Sequence, residues 1–81
     1  MIDALTAAIE RAKVRRRLPP PPARRLLRER AGLSQLDIAT ALDVTTAAVS
    51  RWETGNRTPR GGVLQRYVET LDRLARESLT S

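Results

Sequence analysis

Apolar residues recur at helical spacing along almost the whole chain, in segments separated by proline and glycine. Ile2, Leu5, Ile9 and Ala12 follow one another at intervals of 3, 4 and 3, one stripe of a helix predicted over residues 3–17 with Asp3 as N-cap. Residues 18–22, Leu18 and four prolines, cannot prolong that helix. They predict an extended spacer of about 3.1 Å per residue. Ala23 to Ala31 reads as a short helix with Leu26, Leu27 and Ala31 inward, stopped by Gly32. Ser34 opens the next as N-cap, and Asp37 three residues on makes an approximate capping box. Ile38, Ala39 and Leu42 are its buried stripe. After Asp43-Val44, Thr45 caps a helix running to about Thr54, with Gly55 as its left-handed C-terminal residue. From about Arg60 a last helix carries Leu64, Val68, Leu71, Ala75 and Leu79 inward. The pairs Glu69–Arg73, Asp72–Arg76 and Arg73–Glu77 are expected along its outside. No segment alternates as a strand would. The expected class is all-α, divided into an N-terminal helix (1–17), a proline linker (18–22) and a compact helical domain (23–81).

The middle of this pattern has a recognisable geometry. Two short helices joined by a turn of about three residues fit a helix-turn-helix, and by spacing alone they equally fit an ordinary helical bundle with a short turn. Small Ala39 lets the helices approach, Val44 plugs the turn, and Val49 with Trp52 anchors the later helix from below. Thr46, Ala47, Ser50 and Arg51 are left on its solvent side.

Composition narrows the chemistry. The 81 residues hold no Cys and no His, which removes thiolate and imidazole metal ligands and the usual general base at neutral pH. Neither an enzymatic role nor a metal or other cofactor is expected. With one Trp, one Tyr and no Phe, the core must come from aliphatic side chains, and stacking platforms for single-stranded RNA are nearly lacking. Lys plus Arg number 15 against 9 acidic residues, a net charge of +6, and every basic residue except Lys13 is Arg. That balance implies a polyanionic partner. The arginines are spread over several elements, not gathered on one amphipathic face, so a membrane surface is disfavoured. No apolar run approaches a membrane span and no signal-peptide core opens the chain; a cytoplasmic location is expected.

The stretch LRERAGLSQLDIATALDVTTAAVSRWETGNRTP resembles the Cro/cI-type (XRE-like) helix-turn-helix family of phage and bacterial regulators. The matching features are R-x-x-x-G-L-S-Q, A-x-x-L-x-V across the turn, V-S-R-W-E in the later helix, then a Gly and a Pro, over residues 24 to about 71. The resemblance implies a lambda-repressor-like bundle of about four helices, preceded here by the extra N-terminal helix and the polyproline linker. It also implies a sequence-specific double-stranded DNA-binding regulator, acting as a dimer on two half-sites. Thr46, Ala47, Ser50 and Arg51 match the positions that face the major groove, and Gln35 matches one that touches a phosphate and braces the reading face. Thr45, Asn56, Arg57 and Arg60, near the helix ends, are expected to hold the backbone. Arg28 and Glu53 match a pair that joins two helices as a partly buried salt bridge.

The chain departs from the family pattern at three places. Asp43 stands where the turn commonly has Gly, Leu36 takes a position usually polar, and Gly61-Gly62 predicts a delayed or frayed start to the last helix. Leu36 is therefore expected to cover part of an interface or the N-terminal helix. A second reading is an antitoxin or other interaction module that also binds its operator, with residues 1–18 taking a protein partner. The N-terminal stripe is too short to be stable alone. Four prolines reach about 12 Å, which favours docking of that helix on another molecule.

Overall fold

A computed structural model of the chain describes the backbone of residues 3–80 and the side chains of residues 3–78. Ile2 and the Leu79 side chain, both expected in apolar stripes, lie outside the described residues. The described chain forms α1 (Ala4–Arg16), α2 (Pro21–Arg30), α3 (Gln35–Leu42), α4 (Thr46–Thr54) and α5 (Gly61–Thr80). It contains no strand among the described residues.

Local chemistry sets most of the boundaries. The Asp3 carboxylate accepts from the Thr6 amide at the start of α1. Ser34 Oγ accepts from the Asp37 amide at 3.0 Å while Asp37 Oδ2 accepts from the Ser34 amide at 2.7 Å, a complete capping box for α3. Thr45 caps α4 through Ala48, and Gly55 ends it at φ +82°. Asp43 closes α3 in the left-handed region at φ +56°, the only described non-glycine residue with positive φ. The three-residue turn Asp43-Val44-Thr45 then delivers the chain into α4.

Packing explains the differences from expectation. Pro21 and Pro22 belong to α2, because a first helical turn needs no proline N–H and the fixed φ is already helical. The spacer thus shrinks to residues 17–20, and it is pinned: Leu18 packs on the core and the Pro19 carbonyl accepts from buried Arg24. Helix α1 consequently folds back on α5 within the same chain, so the docking on another molecule favoured by the proline reach is not what this structure shows. Its half-buried side includes Ala7, Ala12 and Val14, whereas Leu5 and Ile9 of the expected stripe are 68% and 43% exposed. Leu26 faces outward too, since Arg24, Leu27, Arg28 and Ala31 occupy the inner side of α2. Leu36 is exposed at 62% and stands outside the core cluster.

Helix α5 is bounded at Gly61, but Gly61 itself sits at φ +61°, outside the right-handed helical region. The regular helix therefore starts one residue later, a short delay of the kind the glycine pair predicts. Its inner face is broader than one stripe: Tyr67 and Leu74 are buried beside Leu64, Val68 and Leu71, because α1, α2 and α3 all pack against it. Asp72 pairs with Arg17 of the incoming chain in place of Arg76. Of the three expected pairs, only Arg73–Glu77 forms among the described ion pairs, at 4.0 Å. The core itself gathers Ile38, Ala39, Leu42, Val49, Trp52, Tyr67, Leu71 and Leu74, with Leu27, Leu33 and Val44 around its edge.

Candidate nucleic-acid interface

Helix α4 is held from one side only. Val49 is fully buried, and Trp52 and Glu53 lie with it beneath the helix. The Trp52 ring centroid sits 4.8 Å from that of Tyr67 with the planes tilted by 43°, a close aromatic contact between the parallel and edge-to-face arrangements. The opposite side presents Thr46, Ala47 and Arg51 to solvent, with Ser50 half-buried beside them. These four residues share one helix face because they fall at spacings of one, three and four. Thr45 is exposed at the front of that helix.

Beneath the helix, a polar cluster fixes its orientation. Arg28 of α2 grips Glu53 with two parallel bonds, Nε to Oε2 at 2.6 Å and Nη2 to Oε1 at 2.9 Å. Its remaining nitrogen donates to the Leu33 carbonyl at 2.9 Å. The Gln35 amide donates to Glu53 Oε1 at 3.1 Å, tying the first residue of α3 to the same carboxylate. The Arg28 and Glu53 side chains are only 11% and 3% exposed, so this is a desolvated pair and not a surface one. Burial opposes the Glu53 charge, but hydrogen bonds from Arg28 and Gln35 and the Arg28 charge outweigh it and hold the carboxyl below its ordinary range.

A second buried arginine was not distinguished in the sequence. Arg24 donates from Nε to the Pro19 carbonyl at 2.7 Å and from Nη1 to the Trp52 carbonyl at 2.8 Å. One guanidinium thereby ties the α1–α2 connection to the last turn of α4. The signal available was its place one turn before Arg28 on the same α2 face. Arg66 of α5 similarly donates to the Leu42 carbonyl at the end of α3, at 3.3 Å.

The loop after α4 carries the other expected contacts. Asn56, Arg57 and Arg60 are all exposed, and the Arg57 amide donates back to the Arg51 carbonyl at 3.3 Å. Arg57 is thus held close to the end of the exposed α4 face, while Arg60 stands further on beside α1. Gln35 is half-buried, with its side-chain amide committed to Glu53. Among the described residues no group of three or more acidic side chains converges to hold a metal ion, and no helix is long and apolar enough to cross a membrane.

The buried groups give this assembly a definite pH response. Burial and the nearby Glu53 charge push the Tyr67 phenol from 10.0 up to about 12. The folded chain then holds that proton more tightly than the unfolded one, so this contribution to stability is whole below pH 10 and is lost as pH rises toward 12. For Glu53 the sign reverses. Its contribution is present above its ordinary value of 4.5 and is lost as pH falls below it through the depressed folded value. Tyr67 is the only tyrosine. Its near-ultraviolet phenolate absorbance is expected to titrate near pH 12 in the folded protein and near 10 in denaturant. A folded-state midpoint near 10 would show a solvated phenol.

Comparison with known proteins agrees with this architecture. The helix-turn-helix family model matches residues 25–77, from within α2 to near the end of α5. The chain belongs to the Cro/cI-type (XRE-like) helix-turn-helix family, a class of double-stranded DNA-binding regulators. No curated protein and no solved structure matches it significantly.

Proposed function

We propose that the protein is a sequence-specific transcriptional repressor of the Cro-like kind, phage or bacterial, that binds its operator as a dimer on two half-sites. The observation that carries this reading is the one-sided burial of α4. Val49, Trp52 and Glu53 lock the helix to the core and leave Thr46, Ala47 and Arg51 exposed with Ser50 half-buried beside them, the face this reading turns to the major groove. Arg51 supplies a fork for guanine O6 and N7, and the methyls of Thr46 and Ala47 suit the thymine methyl. Thr45, Gln35, Asn56, Arg57 and Arg60 act as backbone contacts that set the register. Gln35 braces Glu53 with one side-chain N–H and has its backbone amide, at the start of α3, as a further donor for a phosphate. Catalysis has no place in this reading, and the protein works in the cytoplasm on the nucleoid.

Selection from a random duplex pool identifies the preferred site. On that site Arg51→Ala is expected to cost about 1–3 kcal/mol and to relax preference at one base pair. Arg57→Ala is expected to weaken preferred and random duplexes alike. Equal losses on both duplexes for Arg51→Ala would remove it as a base reader. Binding that does not weaken with salt would remove the nucleic-acid reading itself, because each phosphate contact contributes a slope of about 0.9.

The exposure of Leu5 and Ile9 on α1 favours one second reading, an antitoxin-like module whose first 18 residues also take a protein partner. A Leu5→Ser, Ile9→Ser variant that keeps both its mass in solution and its duplex affinity would count against it.

A further inference from the structure

Helix α1 and the start of α5 enclose an open cleft of about 860 Å³. Its apolar floor includes Val14, Leu64 and the buried ring of Pro59. Three guanidinium groups line it: Arg11 and Arg15, one turn apart on α1, and Arg60 from the loop that follows α4. All three are exposed, and none pairs with a carboxylate among the described residues. Glu10, the one acidic residue lining the cleft, is engaged by Lys13 at 3.3 Å. Thr58 and Gln65 add neutral polar side chains, and at Gly61 and Gly62 the wall is bare backbone, where an added Cβ would meet nothing within 4 Å. A concentration of unpaired arginines over an apolar floor strengthens attraction for an anion, because the floor lowers the local dielectric. The guanidinium fork matches phosphate geometry better than an ammonium does.

Position identifies the source of the phosphate. The cleft opens at Thr58 to Arg60, directly downstream of Asn56 and Arg57 at the end of the exposed α4 face. We propose that this cleft is a phosphodiester-binding site in which Arg11 and Arg15 of α1, with Arg60, grip the backbone of the bound duplex beyond the stretch that α4 reads. This rests on the DNA-binding reading above and gives the N-terminal helix a role in that binding: it lengthens the footprint without reading sequence. The in-chain docking of α1 through Arg17–Asp72 and Leu18 is what keeps both arginines facing the loop.

The test uses the full chain and two duplexes carrying the selected site. One ends at the edge of the α4 footprint; the other extends about 10 base pairs, one helical turn, on each side. Arg11→Gln with Arg15→Gln is expected to lower affinity for the long duplex roughly tenfold and to reduce its salt slope by about 1.8. Affinity for the short duplex and the base preference are expected to stay unchanged. A charge-matched control, Arg16→Gln with Arg76→Gln, removes two exposed arginines outside the cleft and is expected to leave the slope difference between duplexes intact. Far-ultraviolet circular dichroism and the melting temperature confirm that both variants fold. Unchanged long-duplex affinity and slope in the cleft variant would overturn the cleft while leaving the α4 reading in place. Equal weakening on both duplexes, or equal effects from the control, would also overturn it, since either marks diffuse charge attraction. If the wild-type chain binds neither duplex, the cleft proposal and the reading beneath it fall together.

Discussion

Replacing Arg28 with Ala is expected to destabilise the fold by about 3–5 kcal/mol, the cost of leaving a buried charge without its partner. The Glu53 carboxylate, 3% exposed, would lose both guanidinium bonds and keep only the Gln35 amide. The Leu33 carbonyl would lose its donor as well. Small domains have about 5–15 kcal/mol in total and shift by about 4–8 °C per kcal/mol, so melting is expected tens of degrees earlier. The coupled variant Arg28→Met, Glu53→Leu separates two meanings of that loss. If it restores most of the stability, the single substitution exposed the penalty of an orphaned charge, and the pair's value lies in orienting α4. DNA affinity of the refolded double variant then reports that orientation directly. A loss below about 1 kcal/mol for Arg28→Ala would instead be the behaviour of a solvated surface pair.

Trp52→Ala is expected to cost about 3–5 kcal/mol by cavity formation. Trp52 is 6% exposed, packs its ring against Tyr67 at a tilt and also supplies the carbonyl that Arg24 binds. Its neighbours Val49 and Tyr67 are themselves fully enclosed, which limits how far the site can collapse. The consequence for function is direct: the cavity lies beneath the exposed α4 face, so any remaining folded population would hold that face loosely. In the wild-type protein the single tryptophan is expected to fluoresce at the short wavelengths of an indole removed from water, moving to longer wavelengths on unfolding. An emission maximum characteristic of exposed indole in the folded state would contradict the placement.

Much of this molecule was legible in residue spacing. The caps Asp3, Ser34 and Thr45, the stop at Gly55 and the stripe Ile38, Ala39, Leu42 all act within a single turn of chain, where the sequence neighbour is also the spatial neighbour. The turn between α3 and α4 was visible for the same reason, and with it the exposed face at Thr46, Ala47, Ser50 and Arg51. The Arg28–Glu53 pair spans 25 residues and was found only through the family pattern, since nothing local marks either residue.

What the sequence determined by itself, then, is the helical class, the two short helices with their turn and the basic character of this chain, because local periodicity, capping and charge count need no knowledge of the rest of the chain. Tertiary structure decided what residue spacing could not, which of the fourteen arginines turn inward: the family pattern pointed to Arg28, and nothing in the sequence singled out Arg24. Arg24 and Arg28 turn inward because carbonyls and a carboxylate await them there, whereas Arg51, Arg57 and Arg60 meet none. It also decided the fate of the prolines. Four in a row extend an isolated chain, but two of them become the first turn of α2 once Leu18 has a core to enter and Arg24 holds Pro19. That choice folds α1 back onto α5 and places Arg11 and Arg15 opposite Arg60, a meeting of residues some 50 positions apart that no local rule can foresee.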